Sequence, residues 1–178
     1  MSADLTKLDP GFRDKIYQLV ANCGARGVRM RPYMSIRCPL EQAKLWRQSR
    51  SIEQINAQIA MFKSAGAAFL ADCLHSAGPQ HGKLVTSAPP GLSWHQWGEA
   101  VDCFWLVDGQ AEWSTDRLID GVNGYHVYAN EAHNLGLTAG GAWAMKDWPH
   151  VQLRPDGSPT ASMSLAQVDE EMRKRFGA

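Results

Sequence analysis

Three side chains of this sequence have the types and spacing to hold a metal ion. His95 and Asp102 stand seven residues apart in GLSWHQWGEAVDCFW, and His150 follows in KDWPHVQ. Two imidazoles and one carboxylate form the protein ligand set of a catalytic zinc, which keeps its fourth position for water. Seven is an odd number, so on an uninterrupted strand His95 and Asp102 would face opposite ways. Gly98 lies between them and permits a bend, which places His95 on a loop and Asp102 on a strand. Spacing alone is a weak signal, because a lone histidine is more often an ordinary surface or core residue. Asp147 sharpens it, standing three residues before His150 with Pro149 between them. A carboxylate held close to a metal ligand is where a general base for zinc-activated water belongs. The competing reading is a plain Asp-x-Pro turn.

The elements that must position these groups can be read from periodicity and capping. Asp9-Pro10 starts a helix, with Phe12, Ile16, Leu19, Val20 and Cys23 at helical spacing and Gly24 as its stop. VRMRPYMSIR (28–37) reads as a short strand, PLEQAKLWRQ (39–48) as a second helix. A third, longer helix is expected from about Ile52 to Leu74. The stretch GPQHGKLVTSAPPG (78–91) is loop. EAVDCFWLV (99–107) is a buried strand, the segment 116–136 is mostly helical, and WPHVQLR (148–154) alternates like a strand. Ser164 with Gln167 caps a last helix ending near Phe176.

Composition narrows the classes. The 178 residues are 44% hydrophobic, enough for one real core, and a single domain over 1–178 is expected. Eighteen basic residues balance eighteen acidic ones, which speaks against a nucleic-acid partner held by bulk charge. The four cysteines form no CxxC and are read as free thiols. No apolar stretch reaches the roughly 20 residues of a membrane span, so no stable membrane insertion is expected. The beginning of the chain, MSADLTKLDPGFRDK, has no basic segment leading into an apolar one, so no signal peptide is read there.

SWHQWGEAVD matches S-x-H-x-x-G-x-A-x-D, and GLTAGGAW followed by DWPH matches G-L-x-x-G-G-x-W and D-x-P-H. IRCPLEQ is similar to a Y-R-S-P-E-E-Q block, and GKLVTSAPPG to a loop leading into the metal motif. In these blocks, taken in order, the chain resembles the zinc D-Ala-D-Ala carboxypeptidases, dipeptidases and L-alanyl-D-glutamate endopeptidases that cut peptidoglycan peptides. The resemblance implies an α+β fold, a small antiparallel sheet carrying the metal with helices packed around it, as in the related hedgehog scaffold. It implies one Zn2+ per chain held by His95, Asp102 and His150. Asp147 falls on the catalytic acid/base, Arg37 on the arginine that steadies the oxyanion, and Ser93 on a serine lining the substrate site. Ile36 and Cys38 depart from the tyrosine and serine of the arginine block, with altered packing expected. The segment 52–77 reads as a helical insertion, with scaffold its favoured role.

The activity so implied is hydrolysis of an amide in peptidoglycan stem peptides, first as an L-alanyl-D-glutamate endopeptidase of the bacteriolytic phage-endolysin type. Such a monomeric protein would be made in the host cytoplasm and act on the wall after release. The alternatives are a D-Ala-D-Ala carboxypeptidase and a non-catalytic, zinc-containing wall-binding module. With no separate wall-binding domain expected, exposed tryptophans such as Trp94 or Trp97 could hold the wall. Some apparent sites are set aside: alternation turns Cys103 away from Asp102, and a Ser93–His95–Asp102 triad lacks the G-x-S-x-G elbow. His126, Asn130 and His133 share one helical face, read as solvated.

Overall fold

Local signals start most of the helices. In the computed structural model, which describes residues 3–177, helix α1 spans Pro10–Ala25, one residue beyond the expected stop. The Asp9 side chain accepts from the Phe12 N–H, and Pro10 occupies the first turn, where its missing donor is no loss. Phe12, Ile16, Leu19 and Cys23 all turn inward. The last helix, α6 at Leu165–Phe176, carries the expected capping box between Ser164 and Gln167.

The described chain forms two compact units, residues 3–36 with 97–155, and residues 37–96 with 156–177. The first contains α1, α5 (Gly124–Asn134) and a sheet of five strands. These are β1 (Met30–Met34), β2 (Ala100–Val107), β3 (Gln110–Glu112), β4 (Thr138–Ala139) and β5 (His150–Gln152). Their order is β1-β2-β5-β4, with β3 also on β2, and every pairing is antiparallel. Pro32, which has no N–H to give, lies on edge strand β1 beside a register shift, where a proline is tolerated. Alternation along β2 sends Val101, Cys103 and Trp105 into a core shared with α1 and with Tyr125 and Tyr128 of α5. Cys103 is fully buried there, as its phase against Asp102 requires. Each such large apolar side chain contributes about 1.5–3 kcal/mol by leaving water. The core is tight enough that a Cβ on Gly124 would stand 2.4 Å from the Trp105 ring.

The second unit is helical: α2 (Pro39–Arg47), α3 (Ile52–Ser64), α4 (Ala68–Ser76) and α6. The single helix expected over 52–74 is therefore two. The chain breaks at Ala65–Ala67, where Gly66 adopts a φ of 77° that few other residues tolerate. Ile55, Phe62, Leu70 and Leu74 from these helices are buried, and the Leu70 N–H donates to Asp169 of α6 at 2.8 Å. The expected helix over 116–136 also shrinks, to α5. Residues 116–123 form turns around an isolated Ile119–Val122 bridge, and Asn123 caps the helix that follows. No described helix is long and apolar enough to cross a membrane.

Candidate metal centre

Asp102 and His150 are direct cross-strand partners of β2 and β5. In an antiparallel pair, opposite residues on one face lie close enough for their side chains to meet, and Asp102 Oδ1 stands 3.0 Å from His150 Nδ1. Gly98, with a φ of 72°, supplies the bend expected before β2, and its carbonyl accepts from the Asp9 N–H at 2.9 Å. His95 sits on a short 3-10 turn, Trp94–Trp97, upstream of that bend.

The residues flanking His95 explain the bulk around it. The Trp94 indole N–H donates to the Asp156 carbonyl at 2.6 Å, and Gln96 Oε1 accepts from the Gly91 N–H, also at 2.6 Å. Trp94 is buried rather than exposed and Trp97 is half-buried, so Trp94 anchors the metal loop instead of meeting the wall. The ligand atoms of His95, Asp102 and His150 lie within 4.8 Å of one another, and all three side chains are buried. Two imidazoles and a carboxylate converging in this way fit the donor set of a zinc ion with an open position.

Burial works against a charge on the His150 ring. The hydrogen bond and charge of Asp102, the charge of Asp147 and the contact with Gln152 outweigh it, holding the His150 pKa above its ordinary value. Trp143, the last residue of GLTAGGAW, lies against that ring with centroids 5.0 Å apart.

Asp147 is exposed and opens a tight turn that runs to His150. Its N–H donates to the Gly140 carbonyl at 3.0 Å, and its own carbonyl accepts from the His150 N–H at 3.1 Å. The paired glycines before Trp143 have a steric reason. A Cβ on Gly140 would meet the Asp147 carbonyl at 2.4 Å, and one on Gly141 the Trp148 ring at 2.3 Å.

Arg37 is tied to the metal loop, its N–H donating to the His95 carbonyl at 3.3 Å. Its Nη1 donates to Gln42 Oε1 at 2.8 Å, and the Gln42 amide donates to Thr86 Oγ1 and the Ala88 carbonyl at 3.2 and 2.7 Å. Gln42 is fully buried. Cys38 does more than alter packing: its Sγ takes the place of a serine as N-cap of α2, accepting from the Glu41 N–H at 3.4 Å. Ser93 precedes the 3-10 turn, half-buried, with its carbonyl accepting from the Gln96 N–H at 3.0 Å.

Glu131, the acid near the histidine face of α5, is engaged elsewhere, paired with Arg26 at 2.6 Å. That face is solvated as expected: His126, Asn130 and His133 are exposed, and with Thr138 and Trp148 they border an open cavity of about 550 Å³. Sequence reasoning missed Gln42 and Gln152 as the partners that hold the Arg37 and His150 side chains. A signal existed in each case: a glutamine ending the CPLEQ block, and a glutamine two residues after His150, hence on the same face of its strand.

Among solved structures the chain is similar to the L-Ala D-Glu endopeptidase ChiX of Serratia marcescens. That match has 18% identity and a TM-score of 0.42, covering 84% of this chain and 83% of that one. It is also similar to a mutant of the vancomycin resistance D,D-pentapeptidase VanY from a VanB-type cassette, in complex with Zn(II). Here the identity is 18% and the TM-score 0.46, with 82% of this chain and 71% of that one covered. Comparison with curated proteins gives no match. The family model described as VanY, D-alanyl-D-alanine carboxypeptidase, matches residues 5–138, which takes in Arg37, His95 and Asp102 and ends before Asp147 and His150. With the match running over most of its length, the chain belongs to the VanY family.

Proposed function

We propose that the protein is a zinc-dependent peptidase hydrolysing an amide bond in peptidoglycan stem peptides, with residues 1–178 acting as one catalytic domain. The observation that carries this reading is the convergence of His95, Asp102 and His150. When bound there, a zinc ion supplies Lewis acidity, polarising a carbonyl and lowering the pKa of water toward 7. Asp147, beside His150 in the turn, takes the proton from the attacking water and returns it to the amide nitrogen as the C–N bond breaks. Arg37 donates to the carbonyl oxygen as that oxygen gains charge, a task suited to a cation that never deprotonates. Gln42 holds its guanidinium from behind. Ser93 lines the substrate site.

For the bond cleaved we keep L-alanyl-D-glutamate, giving an endolysin-like endopeptidase. The family description favours a second reading, removal of a terminal D-alanine. The test is digestion of purified peptidoglycan with and without a chelator, with the new termini identified by mass spectrometry. Fragments beginning with D-glutamate support the endopeptidase, and released D-alanine supports the carboxypeptidase. Asp147→Ala is expected to keep its zinc and lose turnover. If wall lysis survives in that variant, Asp147 is not the base.

A further inference from the structure

His150 and Gln152 lie two residues apart on β5, so both side chains fall on one face of the strand. Gln152 is only 2% exposed, and its Oε1 stands 3.0 Å from His150 Nε2. Which end of a glutamine amide faces a neighbour must be inferred from the surrounding bonds. Here the surroundings decide it. The other end of the amide is 2.7 Å from the Arg154 carbonyl, a group that can only accept. The NH2 must therefore be at Arg154, leaving the oxygen toward the imidazole. Turning the amide over would press two oxygen lone pairs together at 2.7 Å. An acceptor facing His150 Nε2 requires a proton on that nitrogen.

The geometry points to Gln152 as a positioning residue for His150: it holds the proton on Nε2, so that the lone pair of the neutral ring is on Nδ1, the nitrogen beside Asp102. Nδ1 is thereby the nitrogen offered to a cation shared with Asp102. The ring cannot satisfy Gln152 after a flip without losing its contact with Asp102, so Gln152 sets orientation as well as tautomer. The support is itself braced. Arg154 reaches Glu99 with Nε at 2.6 Å and Nη2 at 2.9 Å, and the Leu153 N–H donates to the Glu99 carbonyl at 2.9 Å. Glu99 lies just before β2, so this brace joins the approaches to Asp102 and to His150. Partners of this kind raise the basicity of a ligating histidine and narrow its orientation, and their loss weakens metal binding by about 10–100-fold.

The inference rests on the zinc reading above, and two variants separate them. Gln152→Met has similar length and no acceptor, whereas Gln152→Glu keeps an oxygen for the Nε2 proton. Zinc affinity is measured by competition with a chromophoric chelator, folding by urea titration, and ring state by long-range 1H–15N spectra of zinc-loaded, histidine-labelled protein. In the wild type, His150 is expected to show a metallated Nδ1 and a slowly exchanging Nε2–H. Gln152→Met should bind zinc about 10–100-fold more weakly; Gln152→Glu, whose second oxygen faces the Arg154 carbonyl, should unfold at lower urea and still bind zinc more tightly than Gln152→Met. Equal zinc affinity in wild type and Gln152→Met would overturn the role of Gln152 while leaving the metal site intact. So would a ring metallated at Nε2, or an equal loss in both variants. Should Gln152→Met fail to fold, the wild-type spectrum decides the matter: a metallated Nδ1 with a slowly exchanging Nε2–H supports the role of Gln152, and a ring metallated at Nε2 overturns it. A wild type in which zinc leaves the His150 signals unmoved overturns the metal reading and this inference together.

Discussion

Gly140→Ala puts the proposed position of the base to a direct test. The new Cβ would stand 2.4 Å from the Asp147 carbonyl oxygen and 3.1 Å from the Asp147 Cβ, while ordinary contact begins at 3.4 Å. The two segments must therefore separate by about 1 Å, and the nearest clash is with backbone, so no rotamer change relieves it. The Asp147 N–H to Gly140 carbonyl bond, 3.0 Å in the native turn, resists that movement. Overpacking of this kind costs about 1–3 kcal/mol of stability. Displacing a catalytic group by about 1 Å can cost on the order of 100-fold in rate, or about 2.7 kcal/mol of barrier. His95, Asp102 and His150 are not the atoms struck. The expected variant thus retains one zinc per chain by elemental analysis, unfolds at lower urea, and shows kcat on a peptidoglycan fragment down by about 100-fold. Turnover within about threefold of wild type, in a protein where Asp147→Ala is inactive, would refute the idea that this glycine sets the position of the base.

Other consequences follow from buried polar groups. Gln42→Leu removes the acceptor of Arg37 Nη1 and the donor to Thr86 and Ala88. It should cost about 2–4 kcal/mol in urea unfolding and about 10–100-fold in kcat, with zinc content unchanged. A kcat matching wild type would show that Arg37 needs no such support. The thiols give a pH dependence. Burial is the main cause that pushes Cys23 up to about 12 and Cys73 up to about 11 from an ordinary value of 9.0. Above pH 9 the unfolded chain loses these protons while the folded one keeps them. Stability should therefore be full below that pH and fall by up to about 1.4 kcal/mol per pH unit for each thiol, until each folded value is reached. Urea midpoints between pH 8 and 11 measure this, and a slope unchanged in Cys23→Ala/Cys73→Ala would count against it.

How much was legible in the sequence depends on the range of the forces involved. Asp9 with Pro10, and Ser164 with Gln167, announce their helices because capping is settled within one turn. Gly98 as a bend, and Cys103 facing away from Asp102, follow from the residue types and the strand period. The same reasoning overran at 52–74, where apolar spacing continues across a break at Gly66. It overran again at 116–123, whose turns share the helical composition of α5. The meaning of Gly140 and Gly141 was equally hidden, since their neighbours Asp147 and Trp148 arrive only when the chain folds back.

The types of the metal-site residues, their order and the bend between the first two were set by the sequence alone, because each is a property of a residue or of a few neighbours. That Asp102 comes to face His150 was decided by the pairing of β2 with β5 across 48 residues of chain. The end of the Gln152 amide that meets the imidazole was decided by the Arg154 carbonyl. Register and hydrogen-bond direction are collective outcomes of core burial and polar satisfaction, and no local pattern encodes them.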